Sequence, residues 1–329
     1  MWSQDVFPTA ELIEAGEIVG PRTFSTGDPL YSGDRGRQNE LTSYEVAAQN
    51  IRRLKSWGAV SLKQYLQPRR DQRQWVSDVA RAEGLMVTAE GSDLAYNLGM
   101  IMDGQTGWEH PMSYAGTYAD VARFFGAAEA VYSVTFMVGG SGPWNEEYYF
   151  QQEDVGQNEK YMLWMPWRQV LPHSRRRMTR PRSDYSFPLL AQSVADIIAE
   201  GGYGAIGAHG QQHGIASHWE VWSAAEAMGP MGALELASRH GAHFLGASAD
   251  LGSIAEGKLA DIIVLNANPL ENIRNTLDMR WVMKEGRLYD ATTLDEIWPR
   301  TRPYGPRPWV NPDALRDDTR SVNYWDNRN

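Results

Sequence analysis

Three of the chain's seven histidines fall within Gly207–Trp222, "GAHGQQHGIASHWEVW": His209, His213 and His218. Imidazole does two kinds of chemistry near neutral pH. Its lone pair binds a divalent metal, and its two nitrogens take up and release protons. His209 and His213 are four residues apart, a spacing that on a helix puts both on one face. Gly210 and Gly214 argue against a helix there, because glycine is a poor helix interior residue. The preceding "GGYGAIGAH" reads as a short apolar strand ending at His209. Ser217–Met228 reads as a helix with Ser217 as its N-cap. His209 is thus placed at a strand end, His213 in a glycine-rich loop and His218 at a helix start.

Three more ionisable residues end predicted strands: Lys63 in "AVSLKQY", Glu90 in "LMVTAEG" and His110 in "GQTGWEHP". Parallel α/β folds bring strand C-termini to one face, so Lys63, Glu90, His110 and His209 are expected to converge. A glutamate and two imidazoles suit a divalent ion, with zinc the default and manganese or iron the alternatives. The chain has no cysteine, so thiolate ligands are excluded. A free Lys63 ammonium repels a metal. It could be carbamylated to an anionic ligand, or it could pair with a substrate carboxylate. Each residue also has a plainer explanation, a buried Lys–Glu pair or a histidine bonded to a carbonyl. Their joint placement at four strand ends favours function. Glu90, His209, His213 and His218 are the candidates for proton transfer. Tyr65, Gln211 and Trp144 are the candidates for substrate contact.

The elements that must position these residues alternate strand with helix. "PRTFSTG" from Pro21 reads as a strand. "TSYEVAAQNIRRLKSWG" opens on a capping box, Thr42 to Glu45, and stops at Gly58. Strands at Lys63, Glu90, His110, "YSVTFMVGG" and His209 are separated by helices. This rhythm predicts a parallel sheet with crossover helices. Gly139–Pro188 breaks it. The segment is rich in aromatics, with Trp144, Tyr148, Tyr149, Phe150, Trp164 and Trp167, and reads equally as a lid or pocket wall or as packing. The tail from Pro299 should be irregular, with Trp309 and Trp325 pinning it to the surface.

With 329 residues, 42% of them hydrophobic, the chain can bury a large core. A net charge of −10 argues against nucleic acid as the main partner. The basic run "SRRRMTRPR" from Ser174 reads as a solvated, ion-paired loop. No stretch is long enough to span a membrane, and no signal peptide opens the chain. The compartment is left open, periplasmic and secreted locations included.

"MGALELASRHGAHFLGASADLGSIAEGKLADIIVLNANPLENI", Met231–Ile273, closely resembles the C-terminal signature of the metal-dependent amidohydrolase superfamily, and "MKEGRLYD" from Met283 resembles its closing strands. "AGEIVGPRTFSTG", "LKQYLQPRRDQRQ" and the histidine stretch are similar to the imidazolonepropionase-like branch, in the version fused to TolB-type β-propellers. The resemblance implies a TIM-like (β/α)8 barrel with a small β-sandwich, and a metal-activated water that attacks a C–N bond of an amide, cyclic amide or short peptide. Lys63 matches the family's lysine ligand and His110 its sixth-strand histidine. Glu90 stands where a histidine is usual, and His209 where an aspartate is usual. The family's first-strand HxH pair has no counterpart. The barrel is therefore expected to be incomplete, over 1–245, followed by sandwich strands over 246–298 and the tail over 299–329. Its free edges, near Arg22–Thr26 and Gly204–Gly207, are expected to pair directly, to borrow a segment from a second copy, or to aggregate. In the sandwich segment, Leu259 and Ile263 are expected to face the core. The rival to a hydrolase is an impaired remnant that serves as a binding or assembly domain.

Overall fold

The structure, a computed structural model, describes residues 6–31, 40–112, 116–140, 143–166, 169–170 and 179–307. Six strands form one sheet in their order along the chain: β1 (Leu30–Tyr31), β2 (Ser61–Tyr65), β3 (Met86–Glu90), β4 (Gly107–Glu109), β5 (Val131–Ser133) and β6 (Tyr203–Ala205). Every neighbouring pair is parallel. All six C-terminal ends therefore lie along one edge, as in the wall of a (β/α) barrel. β1 and β6 are the outer strands, and among the described residues no ladder joins them. Of the three outcomes expected for the two edges, direct pairing is not seen among the described residues. The first edge also lies later than expected, because Pro21–Gly27 forms no strand and β1 begins at Leu30.

The helices are α1 (Val6–Glu14), α2 (Tyr44–Ser56), α3 (Arg70–Glu83), α4 (Leu94–Met102), α5 (Ala119–Ala127), α6 (Glu146–Gln152), α7 (Glu159–Met162), α8 (Phe187–Ala199), α9 (Ile215–Glu235) and α10 (Gly241–Phe244). In α2, Ala47, Ala48, Ile51 and Leu54 form the buried stripe. Its N-cap is Ser43, whose side chain accepts from the Val46 amide at 3.3 Å, and not Thr42 as the capping-box spacing predicts. α9 starts at Ile215, after Gly214, so Ser217 lies inside the helix rather than capping it. The helix breaks at Gly229–Pro230, where Gly229 leaves helical geometry and the proline has no amide to continue the ladder.

Helices cover one face of the sheet. Trp108 on β4 is fully buried, its ring 3.8 Å from Phe125 of α5 and 4.7 Å from Tyr132 of β5. The aromatic segment packs against this core. Tyr149 stacks on Trp219 at 5.3 Å and meets Ser223 Oγ at 2.7 Å. Trp164 donates to the Thr292 carbonyl at 2.7 Å. Packing, rather than a wall, therefore describes Tyr149 and Trp164, and Trp167 lies outside the described residues. Of the basic run, Arg182 pairs with Glu226 at 2.6 Å, and Ser174–Met178 lie outside the described residues.

A second, antiparallel sheet holds β7 (Ile262–Leu265), β8 (Met279–Lys284), β9 (Arg287–Asp290) and β10 (Glu296–Trp298) in the order β10-β9-β8-β7. Glu285 and Gly286, both at positive φ, make the two-residue turn between β8 and β9. Leu259 and Ile263 do not face a core, being 38% and 59% exposed. Ile262 and Val264 point inward instead. The alternation is present, but its phase is one residue from that expected. Arg22 ties this sheet to α1, bonding Asp261 at 2.9 Å and Glu14 at 2.8 Å. Trp309 and Trp325 lie outside the described residues.

At the end of α5, a Cβ on Gly126 would stand 2.0 Å from the Glu200 carbonyl. Gly126→Ala should force α5 and α8 apart and cost about 1–3 kcal/mol, read from urea unfolding. An unchanged midpoint would show that the two helices do not meet here.

Candidate active site

Strand register assembles the site. Lys63 pairs with Thr88, Glu90 with Glu109, and Glu109 with Ser133. Side chains alternate along a strand, so Lys63, Thr88, Glu90, Glu109 and Ser133 share one face. Val87, Ala89, Trp108 and Tyr132 take the other face and are buried by the helices. Polar residues thus concentrate on the inner face, at the C-terminal edge.

His110 follows Glu109 and by alternation should point away from this face. Its φ of 70° puts it in the left-handed region, which histidine tolerates better than most residues. The turn brings its Nε2 to 3.3 Å from Glu90 Oε1, while its backbone amide donates to the Ser133 carbonyl at 2.9 Å. Beside it, the Gly91 amide donates to the Glu109 carbonyl at 2.8 Å. A Cβ at Gly91 would sit 2.3 Å from that oxygen, so only glycine lets the two strand ends approach this closely.

Lys63 Nζ lies 2.8 Å from Glu90 Oε2 and also contacts Glu109 Oε2. Glu109 Oε1 accepts from Thr88 Oγ1 at 3.1 Å. Burial disfavours the Lys63 ammonium, but Glu109 and Glu90 outweigh it and hold the lysine above its ordinary range. Burial also works against the Glu90 carboxylate. The His110 hydrogen bond and the Lys63 charge prevail and pull it down to about 2. Tyr65 is raised by burial and by the Glu90 charge.

The His209 ring stands 5.0 Å from that of His110, nearly perpendicular to it. His209 does not end β6. It lies four residues beyond Ala205, in a turn, with φ 56°. Gln211 Nε2 donates to Glu146 Oε2 at 3.4 Å and presents Oε1 to His209 Nδ1 at 3.3 Å. That oxygen can only accept, so Nδ1 carries a proton and Nε2 is the ring atom left for other chemistry. His213 is exposed in the loop, and Trp144 is about half exposed. His218 lies on α9, where burial and then the Lys160 charge lower it to about 4.

The structure therefore gathers Lys63, Glu90 and His110, sets His209 beside His110, and adds a residue the sequence reading passed over, Glu109. Its signal was present in "WEHP", where it is the last residue of the strand. Glu90, Glu109 and His110 each present a ligand atom, all within 4.8 Å of one another. Two carboxylates and an imidazole fit a divalent ion of the zinc or manganese type. The buried, unpartnered Nδ1 of His110 shows that its hydrogen bonding is incomplete.

Glu220 was also passed over. It is fully buried on α9 and accepts from the amides of Phe136 at 3.0 Å, Met137 at 2.8 Å and Gly207 at 3.4 Å. It clamps the loops after β5 and β6, the second of which carries His209. Burial without a cation pushes its carboxyl up to about 8, against the pull of the three amides.

Residues 192–288 match the amidohydrolase family model. No curated protein matches the chain. Among solved structures, it is similar to a Xaa-Pro dipeptidase with bound methionine in its active site (18% identity, TM-score 0.65, 88% of this chain and 73% of that one). It is likewise similar to the A. niger ochratoxinase (17%, 0.62, 87% and 70%) and to phenylurea hydrolase B (16%, 0.63, 88% and 72%). At such identities the likeness is one of fold: a parallel α/β sheet with a separate antiparallel sheet. The family match over 192–288 runs from within α8 through β6, α9, β7 and β8 to the start of β9, and supports a hydrolase.

Two pH responses follow from the buried carboxyls. Glu90 titrates below its ordinary value of 4.5, so its contribution to stability is full above that value and is lost as pH falls towards about 2. Glu90→Gln should lower the melting temperature at pH 7 and flatten the stability loss between pH 4.5 and 2. Equal slopes in the two proteins would contradict this. Glu220 titrates above its ordinary value, so wild type should lose stability, relative to Glu220→Gln, as pH rises from 4.5 to about 8. In that variant the side-chain NH2 faces a backbone amide, costing about 1–3 kcal/mol at low pH. A variant as stable as wild type at pH 5 would show that the clamp is not formed.

Proposed function

We propose that the chain is a metal-dependent hydrolase of amide-type C–N bonds in small amides, cyclic amides or short peptides. The observation that carries this reading is the cluster of Glu90, Glu109 and His110 at the C-terminal edge of a parallel sheet, with His209 beside it. Glu90, Glu109 and His110 are the residues that would hold the ion. A bound divalent ion supplies Lewis acidity, polarising a carbonyl and making water a better nucleophile. Proton movement falls to His209 rather than Glu90. A carboxylate drawn down to about 2 is a weak base near neutral pH, whereas His209 is exposed at the rim with its Nδ1 engaged by Gln211. Gln211 sets the tautomer of His209 and Glu146 orients Gln211. His218, kept neutral by burial, and His213, out in the loop, stand apart from the cluster. Tyr65, Gln211 and Trp144 are the side chains assigned to substrate contact, and the dipeptidase and phenylurea hydrolase similarities motivate the substrate range.

One observation favours the rival reading, a remnant that binds without turning over. The Lys63 ammonium pairs with both carboxylates that would hold the ion. The two readings separate in one experiment. The purified chain is incubated with zinc or manganese and offered N-acyl amino acids, Xaa-Pro dipeptides, cyclic amides and phenylureas. Hydrolysis should appear with metal, vanish with a chelator, and fall about a hundredfold in Glu109→Gln and in His209→Ala. Metal-independent traces or silence across the panel would leave the binding-domain reading in place.

A further inference from the structure

The four carboxylate oxygens of the cluster are all engaged. Glu90 gives Oε2 to Lys63 and Oε1 to His110. Glu109 gives Oε2 to Lys63 and Oε1 to Thr88. The carboxylates that would hold a divalent ion therefore already hold a cation, the ammonium of this chain's own lysine. Oε2 of both carboxylates contacts Nζ, so an ion that bridges Glu90 and Glu109 through these two atoms meets the ammonium in its place. Of the groups that engage these oxygens, Lys63 has the longest stem, four flexible carbons, so its ammonium can withdraw with the backbone in place.

Resting on the metal-site reading above, we propose that Lys63 is the resident cation of this seat and opposes metal uptake, instead of serving as a ligand. A divalent ion enters by displacing the ammonium from Glu90 and Glu109. The displaced ammonium has somewhere to go. The Tyr65 ring lies 5.6 Å from Nζ, and the Tyr31 ring packs against it, tilted, at 4.7 Å. An aromatic face is a favourable perch for a cation. No bond is made or broken at Lys63 in this exchange, and the lysine stays an ammonium throughout. With the ion seated, the ammonium remains close by and repels it, so the lysine weakens binding in both steps.

This assignment and the ligand role for Lys63 predict opposite signs. Zinc binding by the full chain is measured by equilibrium dialysis for wild type and Lys63→Met, which keeps the apolar stem and removes the charge. Lys63→Met should bind zinc about tenfold tighter or more, and weaker binding by the variant would overturn the proposal. Should the variant fail to fold, wild type decides alone. Amine acylation at Lys63 is followed by mass spectrometry with and without zinc, with Lys55 as the internal reference. Zinc should speed acylation of Lys63 several-fold, because it frees the amine from its carboxylates. Protection by zinc would overturn the proposal, and so would the absence of zinc binding by either protein. Failure of the hydrolase reading is seen separately. Tighter zinc binding by Lys63→Met with no turnover of any amide would retain the displacement and remove the hydrolase, whereas weaker binding beside an active wild type would do the reverse.

Discussion

Two carboxylates on adjacent parallel strands, in register and on the same face, would repel each other in a poorly solvated site. Glu90 and Glu109 are in that position, and the Lys63 ammonium between them makes the arrangement tolerable. Removing one partner of a buried pair costs about 3–5 kcal/mol in well-buried cases. The value here should be smaller, because the three side chains keep 15–23% of their surface. The rest of the site is built around this triplet. Gly91 lets the two strand ends approach, His110 turns back to cap Glu90, and Thr88 takes the last oxygen of Glu109.

Lys63, Glu90 and His110 are legible because strand ends and a parallel sheet suffice to bring them together. Both are written in the alternation of apolar runs with helical periods. Glu109 is not, because the histidine after it is the more conspicuous residue at that strand end. Strict alternation would even have sent His110 to the wrong face. Its left-handed backbone corrects that, and no local pattern announces a positive φ at a histidine. The same limit explains His209, which sits in a turn four residues past β6. The one-residue phase error at Ile262 and Ile263 has another cause. Four consecutive apolar residues, "IIVL", carry no alternation from which the inward set could be read.

The open sheet poses a different problem. Strand order β1 to β6 leaves two edges among the described residues, and the inner face between them is lined by charged and hydroxyl side chains more than by apolar ones. Little apolar surface is therefore exposed on that face. The stabilising burial lies on the outer face, around Trp108, Phe125 and Trp219. The C-terminal edge is held by polar clamps such as Glu220, which ties the loops after β5 and β6 to α9. Stability and chemistry are thus divided between the two faces of one sheet. The inner face can vary in charge without emptying the core.

That division bears on what the fold can say about substrate. The solved structures similar to this chain are named for a dipeptide, a toxin and a phenylurea, on one architecture. Fold sets where strand ends converge, while the side chains of the loops set what is bound there. In this chain the inner positions carry a charge balance of two carboxylates and one ammonium. The rim carries the exposed His209 beside Gln211, whose amide is held by Glu146. A substrate approaching this edge meets the exposed His209 ring before it meets the charged cluster. An anion would have to pass the carboxylates of Glu90 and Glu109 to reach the ammonium between them.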